Sequence, residues 1–143
     1  MSQLNSPCGV FVSNGEVFIS DTINHCIRKV LSNGQIVTIA GNGIERRGEI
    51  NDGQLATNVH LSTPTCVVVP SSNQVYISEG NNNRIRKIDR NGIILTIAGT
   101  GQEGYNGDNQ LAVNAQLCKP RGLFVNEDEE VFFCDWANHR VKN

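Results

Sequence analysis

A repeat of 56 to 58 residues runs through the whole chain and limits its fold more than any other feature. Pro7, Pro64 and Pro120 mark one position in three successive copies, 57 and 56 residues apart. After each proline come two apolar runs, an Asn-led turn and a basic segment, and the spacing changes only in turn-rich stretches. Loops absorb such length changes and packed strands do not, so the pattern indicates a repeat of strands and loops. The chain holds two whole copies and part of a third.

Each copy predicts four short strands. In the first copy they lie at about residues 9–13, 16–20, 26–31 and 35–40. Asn14-Gly15 and Asn33-Gly34 supply the tight turns that antiparallel hairpins require. The first strand is apolar on both faces, which is typical of an interior strand buried on both sides. Four antiparallel strands in each repeat predict an all-β protein made of β-propeller blades.

The predicted domain is a single partial β-propeller over residues 1–143, with blades at about 4–60, 61–116 and 117–143, the last incomplete. A closed ring needs about four to eight blades. The sequence therefore favours a fragment of a larger protein, and the alternative is a ring completed by several chains.

Three motifs carry a family resemblance. Leu-x-x-Pro-x-Gly-Val is followed by Val-Phe-Ile-Ser-Asp and then by Asn-His-x-Ile-Arg-Lys, and this order resembles the NHL repeat. Asn24-His25 and Asn138-His139 match the first two letters of the NHL signature, while Asn82-Asn83 departs from it. The connection from Thr96 to Ala112 is similar to the long-repeat variety found in microbial NHL proteins and the teneurin propeller. The resemblance implies a propeller that acts as a binding platform, and it leaves the ligand open.

Six polar residues recur just after the second strand of each copy: Asp21, Glu79 and Asp135, and Asn24, Asn82 and Asn138. The carboxylates could form a ring that binds a metal or performs acid–base chemistry. Alternatively, each accepts hydrogen bonds from the backbone amides of the turn that follows. A catalytic residue is needed once and a turn residue in every blade, so the repetition favours structural roles. The asparagines are interpreted as turn residues that tolerate a positive φ.

The sequence predicts no catalytic residue, no metal site and no cofactor. His25, His60 and His139 belong to separate copies, so we do not expect them to converge on one ion. Gly99, Gly101 and Gly104 form a G-x-G-x-x-G pattern, but it follows a blade's last strand and does not open a helix.

The cysteines and the N-terminus favour an intracellular protein. The five cysteines are odd in number and contain no Cys-x-x-Cys pair, which is typical of reduced thiols. The N-terminal residues lack the basic start and apolar run of a secretory signal, and no stretch is long enough for a membrane helix. We expect a cytoplasmic location, although a longer natural chain could carry a signal.

Basic residues recur on the third strand: Arg28, Lys29, Arg84, Arg86, Lys87, Arg140 and Lys142. Such a stripe could bind RNA, or it could keep a strand near the sheet edge soluble. The net charge of -2 and the low aromatic content favour the second interpretation, so no nucleic-acid partner is expected.

Four residues break the repeat in loops predicted to share one face of the propeller: Arg46, Arg47, Tyr105 and Trp136. Exposed aromatics and arginine are enriched at binding hot spots. These residues form the predicted contact surface for a protein partner.

The sequence therefore favours a non-catalytic protein-binding or scaffold module. One alternative is part of a propeller lyase or hydrolase with a metal in the central channel, and another is a structural ectodomain segment. An incomplete ring leaves two apolar faces without part of their cover, and six residues are predicted there: Val17, Phe18, Ile19, Val131, Phe132 and Phe133. We therefore expect the isolated chain to self-associate head-to-tail through these faces.

Overall fold

The computed structural model describes residues 3–143, and the strands within this range form three sheets in which every pairing is antiparallel. Met1 and Ser2, the first residues of the predicted domain, lie outside the described residues. The all-β partial propeller predicted from the repeat is confirmed, and each sheet is one blade.

The first blade contains four strands in the spatial order of the chain. They are β1 (Gly9–Ser13), β2 (Glu16–Asp21), β3 (Cys26–Val30) and β4 (Ile36–Ala40). These bounds lie within one residue of the predicted ones. Asn14 and Gly15 have φ values of 51° and 77° between β1 and β2, as a two-residue hairpin turn requires.

The middle blade contains five strands, because a short segment of the preceding connection joins its outer edge. They are β5 (Gln54–Leu55), β6 (Pro64–Val68), β7 (Val75–Glu79), β8 (Arg84–Ile88) and β9 (Ile93–Ala98), in the order β5-β9-β8-β7-β6. β5 therefore comes from the stretch predicted for the first blade but pairs in the second. The predicted blade limits fall in the connections and stay a prediction.

The third blade contains β10 (Pro120–Val125), β11 (Val131–Asp135) and β12 (Arg140–Lys142). Three single 3₁₀ turns complete the described elements, at Ala56–Asn58, Ala112–Asn114 and Trp136–Asn138.

Alternation along the strands divides each blade into two apolar faces. Phe18 and Ile27 lie on the face of the first blade that packs on Val67 and Val69 of the middle blade, in one buried cluster. Ile85 packs in the same way against residues of the third blade, including Phe133. The apolar core therefore lies between blades and not within them.

The prediction that the first strand is buried on both sides is wrong for the outer blades. Val10 and Val12 of β1 and Phe124 of β10 are exposed, because no described blade covers those faces. Phe18 and Phe133, predicted to lack part of their cover, are buried because they face the middle blade. Val17, Ile19, Val131 and Phe132 are only half-buried.

The repeated carboxylates close each blade at one end. Glu79 accepts the backbone N–H of Ser62 at 2.7 Å and the side-chain amide of Asn82 at 2.8 Å. Asp21 accepts the backbone N–H of Asn5 at 2.8 Å and a hydrogen bond from the side-chain amide of Asn24. Asp135 likewise accepts the backbone N–H of Cys118 at 2.7 Å and a hydrogen bond from the side-chain amide of Asn138. The backbone amide belongs to the loop entering the first strand, not to the following turn as predicted. Each carboxylate thus ties the entry of its blade to the turn after the second strand.

The positive φ predicted for Asn24, Asn82 and Asn138 falls one residue later in each copy. His25, Asn83 and His139 have φ values of 52°, 50° and 54°. His and Asn are among the residues that adopt this left-handed region most readily, which fits their alternation here.

The side chain at this left-handed position joins neighbouring blades. His25 Nδ1 accepts the backbone N–H of Thr63 at 3.2 Å, and Asn83 Oδ1 accepts that of Lys119 at 2.9 Å. Imidazole and carboxamide both place an acceptor about two bonds from Cβ. Asn83 therefore preserves the interaction where it departs from the NHL signature.

Two of the recurrent basic residues are internal, so their interpretation as solubilising charges is wrong. Arg86 is fully buried and contacts Glu79 at 2.7 Å and Asp52 at 2.9 Å. Arg84, also buried, donates to the backbone carbonyls of Glu49 and Thr100, each at 3.1 Å. These guanidiniums join the connections to the middle blade.

Glu79→Gln should destabilise the chain by about 3 kcal/mol, because it removes the fully buried one of the two carboxylates that contact the buried Arg86. Glu16→Gln makes the same chemical change in the half-exposed pair with Lys29 and should cost less than about 1 kcal/mol. Urea unfolding of both variants measures the difference, and equal small losses would contradict the structural role of Glu79.

His25→Asn should leave the free energy of unfolding nearly unchanged, because Asn83 makes the equivalent bond in the middle blade. His25→Ala removes the acceptor for Thr63 N–H and should cost about 1 kcal/mol. Thermal unfolding compares the two variants. A His25→Asn protein as unstable as His25→Ala would show that the bond is not interchangeable.

Candidate functional site

The insertion at residues 44–47 is held against the middle blade by one carboxylate. Glu45 accepts hydrogen bonds from the Ser62 hydroxyl at 2.8 Å and from the Asn81 side chain at 3.2 Å. These two bonds, the Ser62 bond foremost, lower the pKa of Glu45. The loop is therefore ordered by contacts with the entry to β6 and the turn after β7.

Both predicted arginines of this loop are exposed and paired with carboxylates beside them. Arg46 contacts Glu49 at 3.1 Å, and Arg47 contacts Glu45 at 3.2 Å. The hydrogen bond from Arg46 is the main cause that lowers the pKa of Glu49. Exposed pairs of this kind contribute little to stability, so the guanidiniums are available to a partner at small cost.

Tyr105 is half-exposed in the equivalent connection before the third blade. Its hydroxyl donates to Asp108 at 2.8 Å, and the Arg140 guanidinium lies 4.0 Å from its ring centroid. Lys142 contacts Asp108 at 2.9 Å and is the main cause that lowers the pKa of that carboxyl. An aromatic ring is thus held against the basic residues of β12.

Trp136 begins the 3₁₀ turn after β11 and is also half-exposed. The Arg121 guanidinium stacks on its ring, 3.8 Å from the centroid. In the same turn, Asn138 donates to the carbonyl of Gly104 at 2.7 Å. This bond ties the turn of Trp136 to the loop of Tyr105.

The four residues predicted as a contact surface therefore form two groups. Tyr105, in the connection before the third blade, adjoins the turn of Trp136 within that blade, whereas Arg46 and Arg47 lie at the corresponding connection one blade earlier. Among the described residues, no hydrogen bond, ion pair or cation–π contact joins the two groups. The sequence did not single out Arg121, because nothing in the local pattern of β10 indicates which distant ring it will meet.

Three other kinds of feature bear on function in the part of the chain that the structure describes: metal-binding side chains, reactive thiols and membrane-spanning helices. Within residues 3–143 no group of three or more His, Cys, Asp or Glu side chains is close enough to bind a metal ion. The five cysteines are free thiols, and burial raises the pKa of Cys26 and Cys66. No helix in this range is long and apolar enough to cross a bilayer.

No family model matches the chain, but curated proteins do. It is 30% identical over 135 residues to SUPPRESSOR OF QUENCHING 1, a chloroplastic protein of Arabidopsis thaliana, covering 89% of this chain and 12% of that protein. It is 30% identical over 142 residues to NHL repeat-containing protein 2 of Bos taurus, covering 85% and 19%. It is 25% identical over 134 residues to Teneurin-m of Drosophila melanogaster, covering 84% and 5%. The chain thus spans less than a fifth of the length of each of these relatives.

Solved structures agree on the fold. Virginiamycin B lyase from Staphylococcus aureus superposes with a TM-score of 0.61 at 19% identity, covering 97% of this chain and 38% of that one. An auxiliary nutrient binding protein from Bacteroides thetaiotaomicron superposes at 0.67 with 24% identity, covering 92% and 35%. Identities this low show the fold alone. Together with the repeat and the curated relatives, they show that this chain is a run of β-propeller blades that is similar in sequence to NHL repeat-containing protein 2 and the teneurins.

Proposed function

We propose that the chain is a non-catalytic protein-binding module that assembles with further blades of its own kind through its two outer faces. One comparison between equivalent positions carries the proposal. Val67 and Val69 of the middle blade are 1% and 3% exposed, whereas their equivalents Val10 and Val12 are 70% and 64% exposed. The same apolar positions are buried wherever another blade lies against them.

The face of the third blade supports the same proposal from the other end. Val141 is 73% exposed, while its equivalents Ile27 and Ile85 are fully buried. Phe124 is also exposed and lies 6.3 Å from Phe132, measured between ring centroids. A contiguous apolar face of this kind is typical of an interface.

The two faces are complementary, because the chain itself contains the contact that would join them. The face bearing Phe18 and Ile27 packs against the face bearing Val67 and Val69. By the repeat, Phe132 and Val141 belong to the first type of face, and Val10 and Val12 belong to the second. A second copy would therefore bind head-to-tail, and in a longer chain neighbouring blades would take the same faces.

The magnitude of the apolar burial is sufficient for assembly. Covering a few hundred Å² of apolar surface contributes several kcal/mol at roughly 25 cal/mol per Å². The exposed stacks of Trp136 on Arg121 and of Arg140 on Tyr105 offer a second surface, suited to a different protein partner. The proposed scaffold role combines assembly through the open blade faces with binding of a protein partner at the surface of these two stacks.

The lyase alternative is supported only by structural similarity to streptogramin-type lyases at 16 to 20% identity. That likeness concerns the fold, and no residue of the described chain argues for the reaction. We therefore propose no second function.

A mixing experiment tests the head-to-tail contact. Val10→Glu places a charge on the first blade's open face, and Phe124→Glu does so on the third blade's. Each variant alone should sediment as a monomer at tens of micromolar, because every head-to-tail contact then contains one charged face. An equimolar mixture should form a one-to-one heterodimer, because the uncharged faces of the two variants are complementary.

Circular dichroism provides the control, since both substitutions lie at exposed positions and should leave the β spectrum unchanged. Dimers of Val10→Glu alone would indicate face-to-face association and contradict the proposal. A wild-type chain that stays monomeric at this concentration would contradict it as well.

A further inference from the structure

We infer that the third blade carries an acceptor site for one extended apolar peptide strand, between β12 and residues 110–111. This strand site lies at the outer edge of the sheet and adjoins the open face of the third blade, with which it shares Val141. In the middle blade the equivalent site is occupied by a strand of the chain itself.

In the middle blade the site is occupied by β9. On one side β9 pairs with β8, where Thr96 lies opposite Arg86 and Ile94 opposite Ile88. On the other side it pairs with β5, where Ile94 lies opposite Gln54. A strand in this position is thus hydrogen-bonded at both edges.

In the third blade the corresponding edges face a cleft of about 410 Å³. Lys142 of β12 lines one side and Gln110 the other, at the positions equivalent to Arg86 and Gln54. The third sheet contains three strands, so within residues 3–143 no strand pairs with this edge of β12. The cleft thus lies between the two edges that flank β9 in the middle blade, as an added strand requires.

The cleft is lined by the equivalents of residues that surround a buried isoleucine in the middle blade. Ile94 of the middle blade is fully buried in a cluster with Ala56, Val59 and Ile77. The equivalents of these three neighbours all line the cleft of the third blade: Ala112, Ala115 and Phe133. Ala56 is buried in that cluster, whereas Ala112 is exposed. Ala112 thus offers exposed apolar surface in the cleft against which an isoleucine side chain could pack.

A carboxylate specifies a second position of the ligand. Asp52 accepts the Thr96 hydroxyl at 3.0 Å while it contacts Arg86 at 2.9 Å. Its equivalent Asp108 lines the cleft and contacts Lys142 at 2.9 Å. A threonine two residues after the isoleucine would meet Asp108 in the same way. The preferred ligand is therefore an extended segment with Ile-x-Thr, as in Ile94-Leu95-Thr96.

Peptide binding tests the site on the 143-residue chain in the Val10→Glu background, which keeps this result independent of head-to-tail assembly. The probe is a fluorescent peptide with the sequence of residues 91–100, preceded by two lysines for solubility. We expect a saturable rise in anisotropy, and none with a scrambled peptide. A peptide with valine in place of the threonine should bind about fivefold more weakly, because it lacks the hydrogen bond to Asp108.

Neighbouring substitutions supply matched controls. Ala112→Glu puts a charge into the cleft and should weaken binding by at least about tenfold. Val113→Glu changes the next exposed residue, which does not line this cleft, and should leave binding unchanged. Equal binding by the two variants, or equal binding of the intact and scrambled peptides, would overturn the proposal.

A covalent version keeps the test decisive if the free peptide aggregates. The sequence of residues 88–100, appended after Asn143, places the same strand where the repeat puts it. The extended chain should unfold at a temperature several degrees higher than the original, and Ala112→Glu should abolish this gain. An extension that gives no gain would overturn the proposal.

Discussion

Each sheet of this protein is apolar on both faces, and the rest of the structure depends on covering those faces with neighbouring sheets. Phe18 and Ile27 are buried in one cluster with Val67 and Val69 of the next blade. Burial of this kind is the main favourable contribution to folding. Because it is made between blades, the stability of each blade depends on having neighbours, as in other repeat proteins.

Polar contacts keep the blades in the geometry that this packing needs. Glu79 holds the entry loop of its blade by accepting the backbone N–H of Ser62. Asn83 joins the middle blade to the third blade by accepting the backbone N–H of Lys119. Arg86 adds Asp52 of the preceding connection to the same network. Buried charges and amides with several good partners are costly to disturb, so these contacts favour one register and one orientation of successive blades.

The sequence predicted the features that repeat and missed those that depend on a neighbour. The strand bounds and the Asn14-Gly15 turn follow from local pattern, and the structure places them as expected. The burial of Arg86 could not be read from its basic segment, because its partners lie on another strand and in the preceding connection. For the candidate site, the sequence indicated Tyr105 and Trp136 as irregular aromatics. Their stacking on Arg140 and Arg121 depends on tertiary contacts between loops and strands, which no local pattern encodes.

Hydrogen exchange on the monomer tests most directly the claim that stability comes from contacts between blades. Strands covered on both faces should open only with the whole molecule, whereas outer strands should exchange through local opening. We expect the amides of β6, β7 and β8 to exchange most slowly and those of β1 and β12 to exchange much faster. Equal protection of β1 and β6, despite the exposure of Val10 and Val12, would contradict it.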